Sequence, residues 1–189
     1  MSAAAAAHRL RRLRGHAIAL PVVIVLSHLA AVWATPRLAM AMLAANAPAD
    51  ARAPGAVHLP PMTDHTQRRV VLPSPDLLYA SCAFDLSKGP WRIRADPKAP
   101  HYWSIAMYAA NSDNFFVVND RQSAGAPVDL LLVGPGTRGA AADGPAHPVR
   151  VRAPSDRGLV LMRLLVGDAA SEATVLEAAR RTLRCEPLS

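Results

Sequence analysis

The sequence predicts a mainly β domain, an antiparallel sandwich or jelly-roll-like fold, with a transmembrane helix ahead of it and a C-terminal helix packed on the sheet. Three observations predict it. Short apolar runs alternate with period two between turn residues from Val70 onward. A long apolar segment succeeds a basic N-terminus. Near the C-terminus the apolar spacing changes to a helical period.

The N-terminal elements come first. His8 to His16 (HRLRRLRGH) is a basic flank, and residues 1–16 read as cytoplasmic. Ala17 to Ala34 is apolar, interrupted only by Ser27 and His28. Eighteen helical residues span about 27 Å, the short end for a bilayer core. An uncleaved anchor over residues 17–34 is the favoured reading, and a cleaved signal peptide ending at Val32-Trp33-Ala34 stays open. Either one exports the rest of the chain, which in a bacterium means an inner-membrane origin and a periplasmic domain. His28 is an ionisable residue at membrane depth, a functional candidate by default. The plainer account is a neutral imidazole bonded to a neighbouring carbonyl.

Thr35 to Ala45 reads as a short helix after Pro36, because proline suits a first helical turn. Asn46 to Pro61 holds four prolines among Ala, Gly, Asp and Arg, and residues 35–69 read as helix and extended linker. The domain proper is expected over 70–189.

Within it, Leu78, Ala80, Cys82, Phe84 and Leu86 share one strand face. Trp91 to Arg94, Trp103 to Tyr108 and Phe115 to Val118 are further strands. Val128 to Val133 is nearly continuous in apolar residues and reads as buried on both sides. Val149 to Arg152 reads as an edge. Leu159 to Val166 encloses Arg163, which calls for a carboxylate partner, since an unpaired buried charge is costly. Asp168 to Cys185 reads as helix, with Val175, Leu176, Ala179 and Leu183 on one face. Arg180, Arg181 and Arg184 suit its C-terminal dipole.

Charge and motifs narrow the function. The net charge of +7 suggests nucleic acid until it is sorted by position. Arg9, Arg11, Arg12 and Arg14 lie ahead of the apolar segment, and from Thr35 onward the balance is 17 basic to 14 acidic residues. No nucleic-acid partner is expected. The histidines at 8, 16, 28, 58, 65, 101 and 147 lack ligand spacing, and no Cys-x-x-Cys occurs, so neither metal nor cofactor is implied. Gly-x-Ser-x-Gly is absent, and Gly134-Pro135-Gly136 reads as a tight turn. No catalytic constellation emerges, and enzymatic activity is left undecided.

Two features remain. Asn111, Asp113 and Asn114 precede one strand, Asn119, Asp120 and Arg121 lie after it, and Tyr108 lies upstream. Together these groups suit a small polar or sugar-like ligand. Equally, Asn and Asp cap turns through their own backbone. Asp76 and Tyr79 are read the same two ways. Cys82 and Cys185 form an even pair, expected to bond in an oxidising compartment; the alternative is that Cys82 is a small buried hydrophobe.

The segments SPDLLYASCAFDLSKGPWRIRA, YWSIAMYAANSDNFFVVNDR and VDLLLVGPG carry a likeness. With His28, Pro36-Arg37 and the closing ARRTLRC, they resemble the short, membrane-anchored form of a bacterial family, the domain of unknown function numbered 1254. The resemblance implies a β-rich fold and offers no accepted catalytic residues. Longer members carry a second domain, of unknown function numbered 1214. The resemblance therefore implies a protein partner supplying that companion domain, beside the membrane itself.

Two functions stand as expectations. One is a non-enzymatic envelope protein that associates with a partner. The other is an enzyme or binding domain for a small polar or carbohydrate-like ligand.

Overall fold

The computed structural model describes residues 3–46, 48, 52–64, 73–137 and 148–188, with helix side chains from His16 onward. The expected onset of the β pattern at Val70, His65, His147 and the side chains of His8 and the leading arginines lie outside the described residues. The chain divides into two units, residues 1–39 and 40–189.

One helix, α1 (Ala3–Ala45), replaces the two predicted segments. It runs through Pro21 and Pro36. Proline removes an N–H and crowds the preceding turn, and side chains near Pro36 bond carbonyls there. Thr35 Oγ1 donates to Ala31 O at 2.7 Å and Arg37 Nη1 to Trp33 O at 2.6 Å. The Arg37 guanidinium also lies 4.3 Å from the Trp33 ring centre. His16–Ala45, 30 residues, is long and apolar enough to cross a membrane. Its large apolar side chains, from Ile18 to Met42, are exposed. His28 makes no hydrogen bond among the described residues, so the expected carbonyl contact is not formed.

The described residues of the second unit form nine strands. They are β1 (Val57–His58), β2 (Leu77–Asp85), β3 (Trp91–Ala95), β4 (Trp103–Ala109), β5 (Asn114–Asn119), β6 (Val128–Val133), β7 (Val149–Arg152), β8 (Arg157–Leu165) and β9 (Arg184–Pro187). A five-stranded sheet A has the order β1-β2-β8-β4-β5, and a four-stranded sheet B the order β7-β6-β3-β9. All pairs are antiparallel except β6 with β7. The sandwich predicted from periodicity is present.

Burial selects the faces. Leu78, Ala80, Cys82 and Phe84 of β2 point inward with Val160, Met162 and Leu164 of β8 and Trp103, Ile105 and Met107 of β4. From sheet B come Trp91, Ile93, Leu130, Leu132 and Val151. Two alternating sheets thus close one apolar layer, the main stabilising term of such a fold. Gly158 marks a tight spot: a Cβ there would lie 2.1 Å from Tyr108 O and 2.4 Å from the Phe84 ring.

Several expectations are corrected. β6 is not buried on both sides, because Asp129 and Leu131 face outward from sheet B. The expected linker enters the domain early. β1 pairs Val57 with Cys82 and His58 with Ser81, and Val57 and Leu59 pack on the core. Two residues cannot announce a strand; their pairing is imposed by β2. A four-residue helix, α2 (Asp120–Ser123), comes directly after β5. The C-terminal helix is shorter than expected. It is α3 (Ala169–Arg180), and Cys185 belongs to β9 instead. Thr182 Oγ1 donates to Ala179 O at 2.6 Å and Arg184 Nη1 to Arg181 O at 2.6 Å, satisfying terminal carbonyls and releasing the chain. Leu176, Ala179 and Leu183 reach the core, whereas Val175 is exposed.

α3 carries the chain from sheet A to sheet B. Its first turn is held by carboxylates. Asp168 accepts from Ala170 N at 3.1 Å and Ser171 Oγ at 2.5 Å. Glu172 accepts from Gly167 N at 2.9 Å and lies 2.7 Å from His101 Nε2. The Ser171 hydroxyl and the Ala170 amide hold Asp168 below its ordinary value; the Gly167 amide, with His101, does so for Glu172. Near the far end Arg180 is buried, bonds Glu177, and reaches Pro60 O at 2.5 Å and Tyr79 O at 3.2 Å.

Cys82 and Cys185 form a disulfide across 103 residues, with Cα atoms 6.6 Å apart. It joins β2 to β9 and so ties the two sheets together. Replacing both cysteines by alanine is expected to lower unfolding free energy by roughly 3–5 kcal/mol, the range for closing so long a loop. Urea unfolding in detergent measures it, and a loss under about 1 kcal/mol would count against a mechanical role.

Acid should weaken α3. Depressed carboxylate values mean that the unfolded chain takes up protons first as pH falls. The stability that Asp168 and Glu172 confer is complete above their ordinary values, 3.8 and 4.5, and is lost as pH drops through their lower folded values. Glu172→Gln should therefore flatten the fall in stability between about pH 5 and about pH 3. An unchanged acid slope would show that the Gly167 and His101 contacts do not couple to folding.

Candidate functional site

The polar residues singled out around β5 are held mainly by backbone. At its start, Asn111 Oδ1 accepts from Asp113 N at 3.3 Å, and Asn111 Nδ2 donates to Asp113 Oδ2 at 2.5 Å. Ser112 sits at φ 69°, and Ala109 N donates to Asp113 O at 2.9 Å. This is a tight connection between β4 and β5, with the bonding that such residues supply in turns. The register shifts between Met107 and Tyr108, which places Tyr108 opposite Asn114.

At the other end, Asn119 caps α2. Its side chain accepts from Gln122 N at 3.0 Å, and Gln122 Oε1 accepts from Asn119 N at 3.1 Å. That reciprocal box closes the helix start. Arg121 is exposed and forms no ion pair with Asp120. The two polar groups are therefore separated by the length of β5, about 17 Å. Tyr108, Asn111, Asp113 and Asn114 gather at one end; Asn119, Asp120 and Arg121 gather at the other.

Asp76 and Tyr79 lie at the start of sheet A. Tyr79 Oη accepts from Ser74 N at 3.0 Å, and Asp76 O accepts from Val166 N at 2.9 Å. Both tie down the entry to β2.

Strand register brings Tyr79 together with Asn119 in a way that spacing did not show. Tyr79 pairs with Arg163, Arg163 with Ser104, and Ser104 with Asn119. The four form one row across the outer face of sheet A. Ser104 is fully buried, and its Oγ, Arg163 Nε and Asp120 Oδ1 are buried without a hydrogen-bond partner. The carboxylate expected for Arg163 is absent among the described residues. Ser104 was missed because a serine inside a strand carries no distinguishing pattern; its place opposite Arg163 is set only by pairing.

Around this row the outer face is apolar. Leu159, Leu161 and Leu165 come from β8, Ala106 from β4 and Val117 from β5. Tyr102, Val117 and Leu165 are 42%, 40% and 37% exposed. Between them on β4, Ser104 and Ala106 are buried.

Sheet B presents the opposite chemistry. Arg92 grips Asp129 with two bonds of 2.9 and 2.7 Å, and Arg94 meets Glu186 at 2.6 Å. The Asp129 carboxylate raises the Arg92 value. A shallow cleft of about 360 Å³ lies among Arg94, Asp96, Asp129, Thr182, Arg184 and Glu186. Its main charges already answer one another, so it offers little to a charged ligand. Among the described residues, no three His, Cys, Asp or Glu side chains group as a metal site.

The fold is shared with a solved structure. The VPA0106 protein from Vibrio parahaemolyticus superposes with a TM-score of 0.52 at 15% identity, over 60% of this chain and 28% of that one. An uncharacterized protein from Burkholderia cenocepacia gives a TM-score of 0.46 at 18% identity, over 82% of this chain and 40% of that one. The chain thus spans well under half the length of either. No curated protein matches. The model of the family described as a protein of unknown function, DUF1254, matches residues 55–187, from just before β1 through the last residue of β9. The chain belongs to this DUF1254 family.

Proposed function

We propose that this is a membrane-anchored bacterial envelope protein that works by binding a protein partner. In this reading α1 lies across the inner membrane with its basic end in the cytoplasm, and the β domain stands in the periplasm. The apolar length of α1 supports the anchor. The Cys82–Cys185 bond supports an oxidising compartment. The observation that carries the partner reading is the outer face of sheet A, where Leu161 and Leu165 flank Arg163 along β8, with Tyr102 exposed just before β4 and Val117 exposed on β5. Interfaces favour such a mixture of apolar and aromatic groups with arginine.

The partner proposed is a protein carrying the companion domain of unknown function 1214. The small share that this chain covers of the Vibrio structure is consistent with a fold that works beside further polypeptide. A second reading, a site for a small polar or carbohydrate-like ligand, draws on the unpartnered Ser104, Arg163 and Asp120 atoms.

Co-expression of the full chain with such a companion, with detergent extraction from membranes, tests the proposal. The companion should co-purify, and Leu161→Arg should cut its recovery roughly tenfold, as central interface substitutions do. Leu131→Arg, on the outer face of sheet B, should leave recovery unchanged. A wild-type chain that emerges without the companion would overturn the reading.

A further inference from the structure

Among the described residues, four strands of the sandwich lie at sheet edges, and three of them are guarded. β1 is two residues long and runs toward Pro60 and Pro61. β7 alternates valine with Arg150 and Arg152. β9 holds Arg184 and Glu186 and ends at Pro187. Short length, charge and proline are the usual means of keeping an edge from joining another strand.

β5 has no such charge or proline, and its one irregularity is the register shift near its start, where Asn114 pairs with Tyr108. Its sequence is Asn-Phe-Phe-Val-Val-Asn, six residues without charge, proline or glycine. It pairs with β4 on one side only. No further backbone hydrogen bond is made by its residues Asn114 to Val118 among the described residues, apart from the turn bonds that frame the strand. Phe116 and Val118 turn toward the core, while Val117 faces outward and is 40% exposed. A neutral, β-branched and aromatic segment of this length is what strand addition recruits.

We propose that β5 is a self-pairing edge, along which two copies of this chain join antiparallel and fuse their five-stranded sheets into one. A second copy fits because the strand is complementary to itself. It brings no like charges into opposition. A two-fold antiparallel pairing uses the same patch on both copies and closes on itself, so it makes a dimer and not a fibre. The turn bonds at Asn111 and Asp113 and the cap at Asn119 stop the strand at both ends, limiting the pairing to this one length. Setting Val117 opposite its own copy places Phe116 opposite Val118, so core face continues into core face. This pairing uses the edge of β5, whose Val117 also belongs to the outer face of the companion-binding reading, and its test is made on the chain alone, without the companion.

Sedimentation equilibrium of the full chain in density-matched detergent tests it across a dilution series. Wild type should fit a monomer–dimer equilibrium. Val117→Lys sets like charges at the pairing line on an exposed position and should raise the dissociation constant roughly tenfold or more. Val117→Thr, neutral and β-branched, should leave it within about threefold. Amide hydrogen exchange over Phe115 to Val118 should slow as wild-type concentration rises. A wild type that stays monomeric throughout overturns the proposal and leaves the edge to a foreign strand. A Val117→Lys chain that dimerises like wild type overturns it as well, assigning association to another surface such as α1.

Discussion

The sandwich depends on a single seam, where β2 of sheet A meets β9 of sheet B through Cys82 and Cys185. Both cysteines are buried, and three other contacts converge there. β1 lies against Cys82 along the edge of sheet A. Gly55, at φ +85°, passes so close to Cys185 O that a Cβ would sit 2.6 Å away, leaving no room for a side chain. Arg180 of α3 bonds the carbonyls of Pro60 and Tyr79, drawing the segment after β1 and the start of β2 to the same helix. The seam thus joins the first strands of the domain to its last, while β5 and β7 form the opposite edges of the two sheets.

Closing the sandwich this way leaves two outer faces of contrasting character. On sheet B, Arg92 and Arg94 answer carboxylates on neighbouring strands, so these two charges are paired within the fold. On sheet A, Arg163 stands among leucines with no carboxylate beside it. Exposed ion pairs contribute little to stability, so Arg163 loses little to folding by having none, while Asp85 and Arg157 pair at the far end of the same sheet. An apolar face costs solubility, however, unless something occupies it. That asymmetry is the reason to look for function on sheet A and at its open edge.

Much of the fold was legible because one-sided burial writes a period of two into the chain. Leu78 to Phe84 and Trp103 to Met107 could be assigned to faces directly. β1 and β9 were not legible. Val57-His58 is too short to alternate, and Arg-Cys-Glu-Pro has no apolar run; both become strands through partners far away in sequence. The site was harder for the same reason. Asn111, Asp113 and Asn119 have the chemistry of ligand groups and of turn and cap groups alike, and only the hydrogen bonds decide between them. Strand length then separates the two clusters. The row from Tyr79 to Asn119 is a product of register across four strands, which residue spacing within any one strand cannot encode.

The position of the disulfide also bears on how the domain reaches its final state. Cys82 lies in the first long strand and Cys185 in the last, and the pairing of β9 with β3 and the closing of the two sheets hold the two sulfurs together. The bond removes the open states in which β9 peels away, because an unfolded chain with that loop closed has far fewer conformations. For a chain exported as proposed, the bond forms after translocation, since the cytosol keeps such thiols reduced. The anchor and the bond would then act in order, with the helix setting the compartment and the compartment's oxidising chemistry locking the sandwich whose outer face and edge remain free to bind.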